Sequence, residues 1–339
     1  MKVVIDDKIP YIREAMARIT PDAVYIRGAA ISASDVRDAD ALIVRTRTRC
    51  DERLLGGSKV RFVATATIGI DHLDTEWLDK AGIRWVNCPG CNAGSVGQYI
   101  EAAMLRLQHD KSVCLAGMTA GIVGCGHVGS KVKAVLERLG MRVMVNDPPA
   151  GNPHYVDLET IEREADIISF HVPLTFKGPY PTYHLADSNF FDNISGGAYI
   201  INTSRGGVVD EQALLKAMHE GRVAGAVIDT WENEPHINPL LLREAYIATP
   251  HIAGYSADGK VAADNMVVDA LCRFFGVEKP SVILPPPLPA DNWQSGDPLS
   301  LYDPMNDTRK LRENPDMFED IRGNYPVRRE LDSLRATPL

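Results

Sequence analysis

Three residues in the second half of the chain have the side-chain types that oxidation of a hydroxy acid demands. They are Arg205 in "INTSRGGVVDE", Glu234 in "VIDTWENEP" and His251 in "IATPHIAGY". A guanidinium grips a carboxylate with two parallel hydrogen bonds and fixes its plane. An imidazole moves an alcohol proton with a pKa near neutral. A carboxylate on the other ring nitrogen orients the imidazole and stabilises its charged form. Taken singly, each is an ordinary surface residue, and His171 in "SFHVP" is a rival histidine because it too ends a predicted strand. Together they stand in three loops that each follow a predicted strand. In an open parallel sheet, ligands bind at the carboxyl ends of the strands, so the three loops can converge on one crevice.

A nucleotide signature precedes them. "GIVGCGHVGSKVKAVLERLG" carries Gly124, Gly126 and Gly129 in the spacing G-x-G-x-x-G, with His127 and Val128 between, after a strand and opening a helix. Such glycines permit a tight turn, close approach of backbone to a pyrophosphate, and close helix–strand packing. Asp147 ends the next strand, eighteen residues on (147 − 129), near the spacing of about 20 expected of a ribose-binding carboxylate. A carboxylate there accepts from the adenosine 2′-hydroxyl and repels a 2′-phosphate. Two prolines follow it and no arginine, so the reading is NAD, not NADP.

The elements that must position these residues follow a regular order. The segments "KVVID", "AVYIRG", "ALIVRT", "RFVATAT" and "IRWVN" predict one series of strands alternating with helices. After a helix predicted from about residue 95 to 109, a second series runs "TAGIVG", "MRVMVND", "DIISFHV", "AYIINTS", "GAVIDT" and "YIATPH". A further helix is predicted from about 256 to 275. Strands alternating with helices imply parallel α/β architecture, here two Rossmann-like sheets. The 339 residues suffice for two or three domains. A net charge of −9 argues against a nucleic-acid partner, and no apolar run is long enough to span a membrane. "MKVVIDD" enters a strand directly with no secretory pattern, and six cysteines in such a chain imply reducing cytosol rather than a disulfide framework. No metal site is expected.

The glycine fingerprint, Asp147, "NTSRGGVVDE", "DTWENEP" and "TPHIAGY" resemble the D-isomer-specific 2-hydroxyacid dehydrogenase family. Within it, "VATATIGIDHLD", "PGCNA", "FKGPYPTYHLAD" and "HIAGYSADGK" are most similar to a member that oxidises a phosphorylated four-carbon 2-hydroxy acid with NAD. The resemblance implies Arg205 and Glu234 in the active site and His251 as the proton carrier. It implies that Asp147, Val172, Asp229 and Gly254 touch NAD, and that Thr46, Thr67 and Tyr255 touch substrate. Val172, Thr46 and Gln98 depart from the residues commonest there. It also implies a discontinuous, flavodoxin-like substrate domain (residues 1–93 and 255–280) around an inserted NAD domain (94–254). Residues 281–339 would then be a proline-rich arm and short dimerisation segment, and the protein a homodimer. Two alternatives stay open: a family member acting on glycerate, 3-phosphoglycerate or a plain 2-hydroxy acid, and an NAD-sensing corepressor-like binding protein that retains the three residues.

Three further features remain. The Cys88-x-x-Cys91 pair in "NCPGCNA" has the look of a redox motif, yet the resembled Pro-Gly-x-Asn turn needs neither cysteine, and the motif is expected to be a hinge. In "RTRTR", strand alternation would set Arg45, Arg47 and Arg49 on one face and Thr46 and Thr48 on the other, with Arg45 a candidate for the substrate phosphate. Seven of the 22 prolines fall between Pro280 and Pro304, so the tail is expected to pack along another surface, with Arg328 and Arg329 near a phosphate.

Overall fold

In the computed structural model, which describes residues 1–288 and 297–335, every β-branched run just quoted becomes a strand of one of two parallel sheets. The described residues divide into two units, 1–92 with 256–288, and 93–255 with 297–335.

The first unit holds strands β1 (Val3–Asp6), β2 (Ala23–Ile26), β3 (Ala41–Val44), β4 (Phe62–Thr65) and β5 (Arg84–Val86), in the order β2-β1-β3-β4-β5. That is the flavodoxin-like order, whose direction of winding reverses beside the first strand. β1, β3 and β4 are buried along their whole length, as expected of parallel strands covered on both faces. One face packs Ile5, Ile43, Phe62 and Ala64 against Ala263, Val267 and Leu271 of the helix Ala257–Phe275. Leu42, Val44, Val63, Leu54 and Leu78 close the other.

The second unit holds β6 (Thr119–Val123), β7 (Arg142–Asn146), β8 (Ile167–Phe170), β9 (Ala198–Asn202), β10 (Val223–Ile228) and β11 (Ile247–Ala248), in the order β11-β10-β9-β8-β6-β7. The reversal lies beside β6, so its carboxyl end opens on the crevice where a dinucleotide binds. The helix Ala93–Lys111 packs Tyr99, Ala103 and Leu107 on one face of this sheet. The turn Pro89–Ala93 is where the chain passes from one unit to the other; Gly90 takes φ +78° there.

The C-terminal residues do not form one arm. Residues 281–288 belong to the first unit, where the Asn265 side chain donates to and accepts from the Ile283 backbone, both at 2.9 Å. Residues 297–335 belong to the second, as the helices Pro298–Leu301, Pro304–Glu313 and Phe318–Gly323. Leu311 from the second of these helices, with Phe318 and Ile321 one turn apart on the third, joins its core. The helix Pro304–Glu313 covers the edge strand β11 and the segment before it: Ala248 N donates to Thr308 Oγ1 at 3.1 Å, and the Arg312 guanidinium donates to the carbonyls of Leu242 and Ala245. The surface expected to receive the tail is therefore the chain's own sheet.

Candidate active site

The three glycines of the fingerprint have three different reasons to be glycine. A side chain on Gly124, at φ +88°, would meet Val172 Cγ1 at 2.7 Å and the His171 carbonyl oxygen at 2.8 Å. One on Gly129 would lie 2.0 Å from the Gly124 oxygen, so that glycine lets the helix His127–Arg138 press against the turn. Gly126 has nothing within 4 Å and is the N-cap of that helix, with no side chain covering its first N–H groups. Open space facing uncapped N–H donors at a helix start fits a pyrophosphate. Asp147, half-buried, accepts the Cys125 N–H through Oδ2 at 2.8 Å, which ties the end of β7 to the glycine turn. The site thus fits a dinucleotide, with His127 and Val128 opening the helix and Asp147 beside the glycine turn at the end of β7.

Arg205, Glu234 and His251 line one cavity of about 340 Å³, together with Leu174, Tyr183 and Trp231. Glu234 Oε2 lies 2.9 Å from Nδ1 of His251, and Oε1 accepts the Trp231 N–H at 2.9 Å. Burial pushes the Glu234 carboxyl up, yet the hydrogen bond and charge of His251, with the Trp231 N–H, outweigh it and hold the group below its ordinary value. An ionised Glu234 makes Nδ1 the donor and leaves Nε2 as the reactive nitrogen. Arg205 donates to the Ser204 carbonyl at 2.8 Å. Gly206 explains how the Arg205 and Glu234 loops touch: a Cβ there would stand 2.0 Å from the Trp231 carbonyl.

His251 itself sits at φ +55°, a left-handed conformation that needs support. Asp229 supplies it: its carbonyl accepts the His251 N–H at 2.7 Å, while its carboxylate accepts Ile252 N at 2.7 Å, Ala253 N at 2.9 Å and the Thr249 hydroxyl at 2.6 Å. Thr249 in turn meets the Tyr99 hydroxyl at 2.8 Å. Gly254 and Tyr255 complete this loop, the Tyr255 ring lying edge-on to Tyr325. The rival His171 is bonded to Ser169 through Nε2, and its Nδ1 is buried without a hydrogen-bond partner. Burial pushes its pKa down to about 3, so it is an uncharged structural imidazole.

Arg45, Thr46 and Thr67 belong to the first unit. The alternation expected of "RTRTR" does not occur, because β3 stops at Val44 and residues 46–48 turn. Thr48 is buried and donates to the Gly28 carbonyl, Thr46 is exposed, and Arg45 donates to the Lys8 carbonyl at 3.1 Å. Arg49 pairs with Asp51. Thr67 donates to the Gly69 carbonyl at 3.0 Å. Arg328 and Arg329 are both buried, so neither is a solvated surface charge. The Arg328 guanidinium lies 4.4 Å over the Tyr302 ring and donates to the Ala253 carbonyl. The Arg329 carbonyl accepts from the Gln98 amide at 3.0 Å, which gives that unusual glutamine a task.

Three residues at the site are not singled out by the sequence reading. Glu211 is buried in the helix Glu211–His219 and accepts the Glu232 N–H at 2.8 Å. His184 Nε2 lies 2.6 Å from Glu232 Oε1 at the rim of the cavity. Arg322 donates through Nε to the His251 carbonyl at 3.3 Å. Only Glu211 was within reach, as the acid that closes "GGVVDE"; the other two depend on chain folding back from afar.

Residues 96–253 match the family model described as the NAD binding domain of D-isomer specific 2-hydroxyacid dehydrogenases. The chain is 50% identical to an erythronate-4-phosphate dehydrogenase of Bacteroides fragilis over 344 aligned residues, covering 99% of each chain. To the enzyme of the same name from Escherichia coli it is 39% identical, across 98% of this chain and 93% of that one. Among solved structures, the NAD+-bound 3-phosphoglycerate dehydrogenase of Entamoeba histolytica superposes with a TM-score of 0.70 at 26% identity, over 85% of this chain and 99% of that one.

Proposed function

Because the chain belongs to the D-isomer-specific 2-hydroxyacid dehydrogenase family, an NAD-dependent oxidoreductase family, we propose that it oxidises 4-phospho-D-erythronate at C2. The product is the 2-oxo acid, 3-hydroxy-2-oxo-4-phosphobutanoate, and the resemblance sets the reaction in pyridoxal 5′-phosphate biosynthesis. The observation that carries the reading is the Glu234–His251 pair at 2.9 Å in the same cavity as Arg205.

Bound NAD supplies the acceptor for the hydride that leaves C2. Nε2 of His251 takes the C2 hydroxyl proton, and Glu234 holds the ring and balances the charge it acquires. Arg205 grips the substrate carboxylate and keeps C2 in register with His251. Gly124, Gly126, His127, Val128 and Gly129 hold the pyrophosphate and Asp147 the ribose, and Val172, Asp229 and Gly254 also touch NAD. Arg45, Thr46, Thr67 and Tyr255 receive the rest of the substrate, with Arg45 directed to its phosphate. The active form is a homodimer in the cytoplasm. Exposed Met317 and Val327 on the C-terminal segment support the dimer, and six cysteines outside any disulfide support a reducing compartment. Among the described residues, no helix is long and apolar enough to cross a membrane.

Turnover across a panel of hydroxy acids tests the substrate. The phosphorylated four-carbon acid should give the highest kcat/KM. Equal turnover of erythronate without its phosphate, or preference for 3-phosphoglycerate or glycerate, refutes that assignment. Absence of turnover on every acid, with NAD still bound, returns the chain to a sensing role.

A further inference from the structure

We propose that Arg322, on the C-terminal helix Phe318–Gly323, is a positioning residue for the proton transfer at His251; the proposal rests on the assignment of His251 as the proton carrier. The loop from His251 to Tyr255 is held from two sides. Its N–H groups go to Asp229, as described above. Two of its carbonyls go to the C-terminal segment: Arg322 Nε donates to the His251 oxygen at 3.3 Å, and Arg328 Nη2 donates to the Ala253 oxygen at 2.5 Å. These two arginines fix the left-handed backbone at His251 from the side that Asp229 cannot reach.

The Arg322 side chain is only 15% exposed, and its guanidinium lies 5.5 Å from the Tyr255 ring centre. Its position is therefore defined by the loop it supports. Arg328 is more deeply set, between Tyr302 and Tyr325, whose hydroxyls both donate to Asp307 at 3.1 and 2.8 Å. Arg328 anchors the segment, and Arg322 is the member that reaches the catalytic pair.

Arg322 also brings charge. It is one of the groups that hold the Glu234 carboxyl below its ordinary value, after the bonds and charge of His251 and Trp231. The charged groups around the pair are Arg205 and Asp229, Glu232 with His184 against it, Glu211 behind, and Arg322 with Glu319 from the C-terminal segment. A cation beside a carboxylate–imidazole pair favours the ionised carboxylate and disfavours the second positive charge on the ring. Oxidation needs the ring uncharged, so removing the cation moves the acid limb of the rate profile to higher pH.

The test compares Arg322→Met and Arg322→Lys in the full-length enzyme, with His251→Gln as the control for the underlying assignment. If His251→Gln turns over normally, the assignment of His251 fails, and the comparison ends there. Otherwise, Arg322→Met should lower kcat about tenfold through misplacement of the imidazole. Its acid limb should rise by about half a pH unit, with KM for both substrates little changed. Arg322→Lys keeps the charge and loses the fixed donor, so its limb should stay in place while kcat falls. Unchanged kcat and profile in Arg322→Met overturn the proposal, and so does a raised KM alone, which would make Arg322 a substrate contact. If Arg322→Met does not fold, Arg322→Lys decides, and wild-type kcat in that variant overturns it.

Discussion

Gly206 and Trp231 belong to different loops, yet the Cα of Gly206 lies so close to the Trp231 carbonyl that no side chain fits between them. The indole N–H of Trp231 donates to the Thr249 carbonyl at 2.9 Å, two residues before His251. The loops carrying Arg205, Glu234 and His251 are thus braced against one another, the first two by backbone approach and the last two by the indole hydrogen bond, and their geometry is shared. Gly206→Ala should force the loops apart, cost about 2–4 kcal/mol of stability and lower kcat more than NAD affinity. Thermal unfolding with steady-state kinetics checks this; normal kcat in the alanine variant would show that the brace is dispensable.

The Glu234–His251 pair makes a graded prediction. His251→Gln should lower kcat by a factor on the order of 10² to 10⁴ with NAD binding intact. Glu234→Gln should do less harm and move the acid limb to lower pH, because the ring loses the anion that stabilises its charged form. A pH–rate profile for Glu234→Gln that overlays the wild type would break the pairing.

Asp147, proposed above to meet the ribose, also ties the glycine turn through Cys125. Asp147→Ala should weaken NAD binding and narrow the preference over NADP, since acceptor and repulsive charge leave together. Equal use of NADP by the wild type would refute the role.

Buried Glu211 has its pKa pushed up from 4.5 to about 7, first by burial and then by the charges of Glu232 and Glu234. An acid raised in the folded state stabilises fully below its unfolded pKa, and that stability is lost as pH rises through the folded value. Between pH 4.5 and about 7, Glu211 should account for about 3 kcal/mol of falling stability. Asp264 in the first unit, pushed up to about 7 by burial, acts with the same sign. Calorimetry of Glu211→Gln across this range should show a flatter decline; an unaltered slope would mean that the carboxyl is already ionised in the fold.

The Cys88 thiol is buried, points at the carbonyls of Thr65 and Ala263, and is pushed far up by burial. Cys88→Ser with Cys91→Ser should keep most turnover under reducing and oxidising conditions alike. Loss of chemistry with the fold intact would restore the redox reading.

Much of this was legible in the chain because strand ends leave strong local marks. Gly124 and Gly129 have steric duties in the turn after β6, Gly126 keeps its helix start open, and Arg205, Glu234 and His251 each lie three to six residues past the end of a strand. The reading failed where a strand ended early. Val44 closes β3, so period-two alternation no longer governs Arg45 to Arg49. It failed again for the C-terminal segment, whose Leu311, Phe318 and Ile321 meet a sheet edge formed far earlier in the chain. No local pattern says that Arg328 will lie under Tyr302 or that Arg322 will reach the His251 carbonyl, because both contacts exist only once distant segments have met.

The interleaving of the two units sets the order in which this chain can mature on the ribosome. The N-terminal sheet keeps one apolar face, Ile5, Ile43 and Phe62, for the helix Ala257–Phe275, and the edge strand β11 waits for Pro304–Glu313. At the usual pace of translation, that face stays wet for on the order of ten seconds after its last strand is made. A nascent chain in this interval presents a binding surface to chaperones, and a message truncated before the helix should yield an insoluble product.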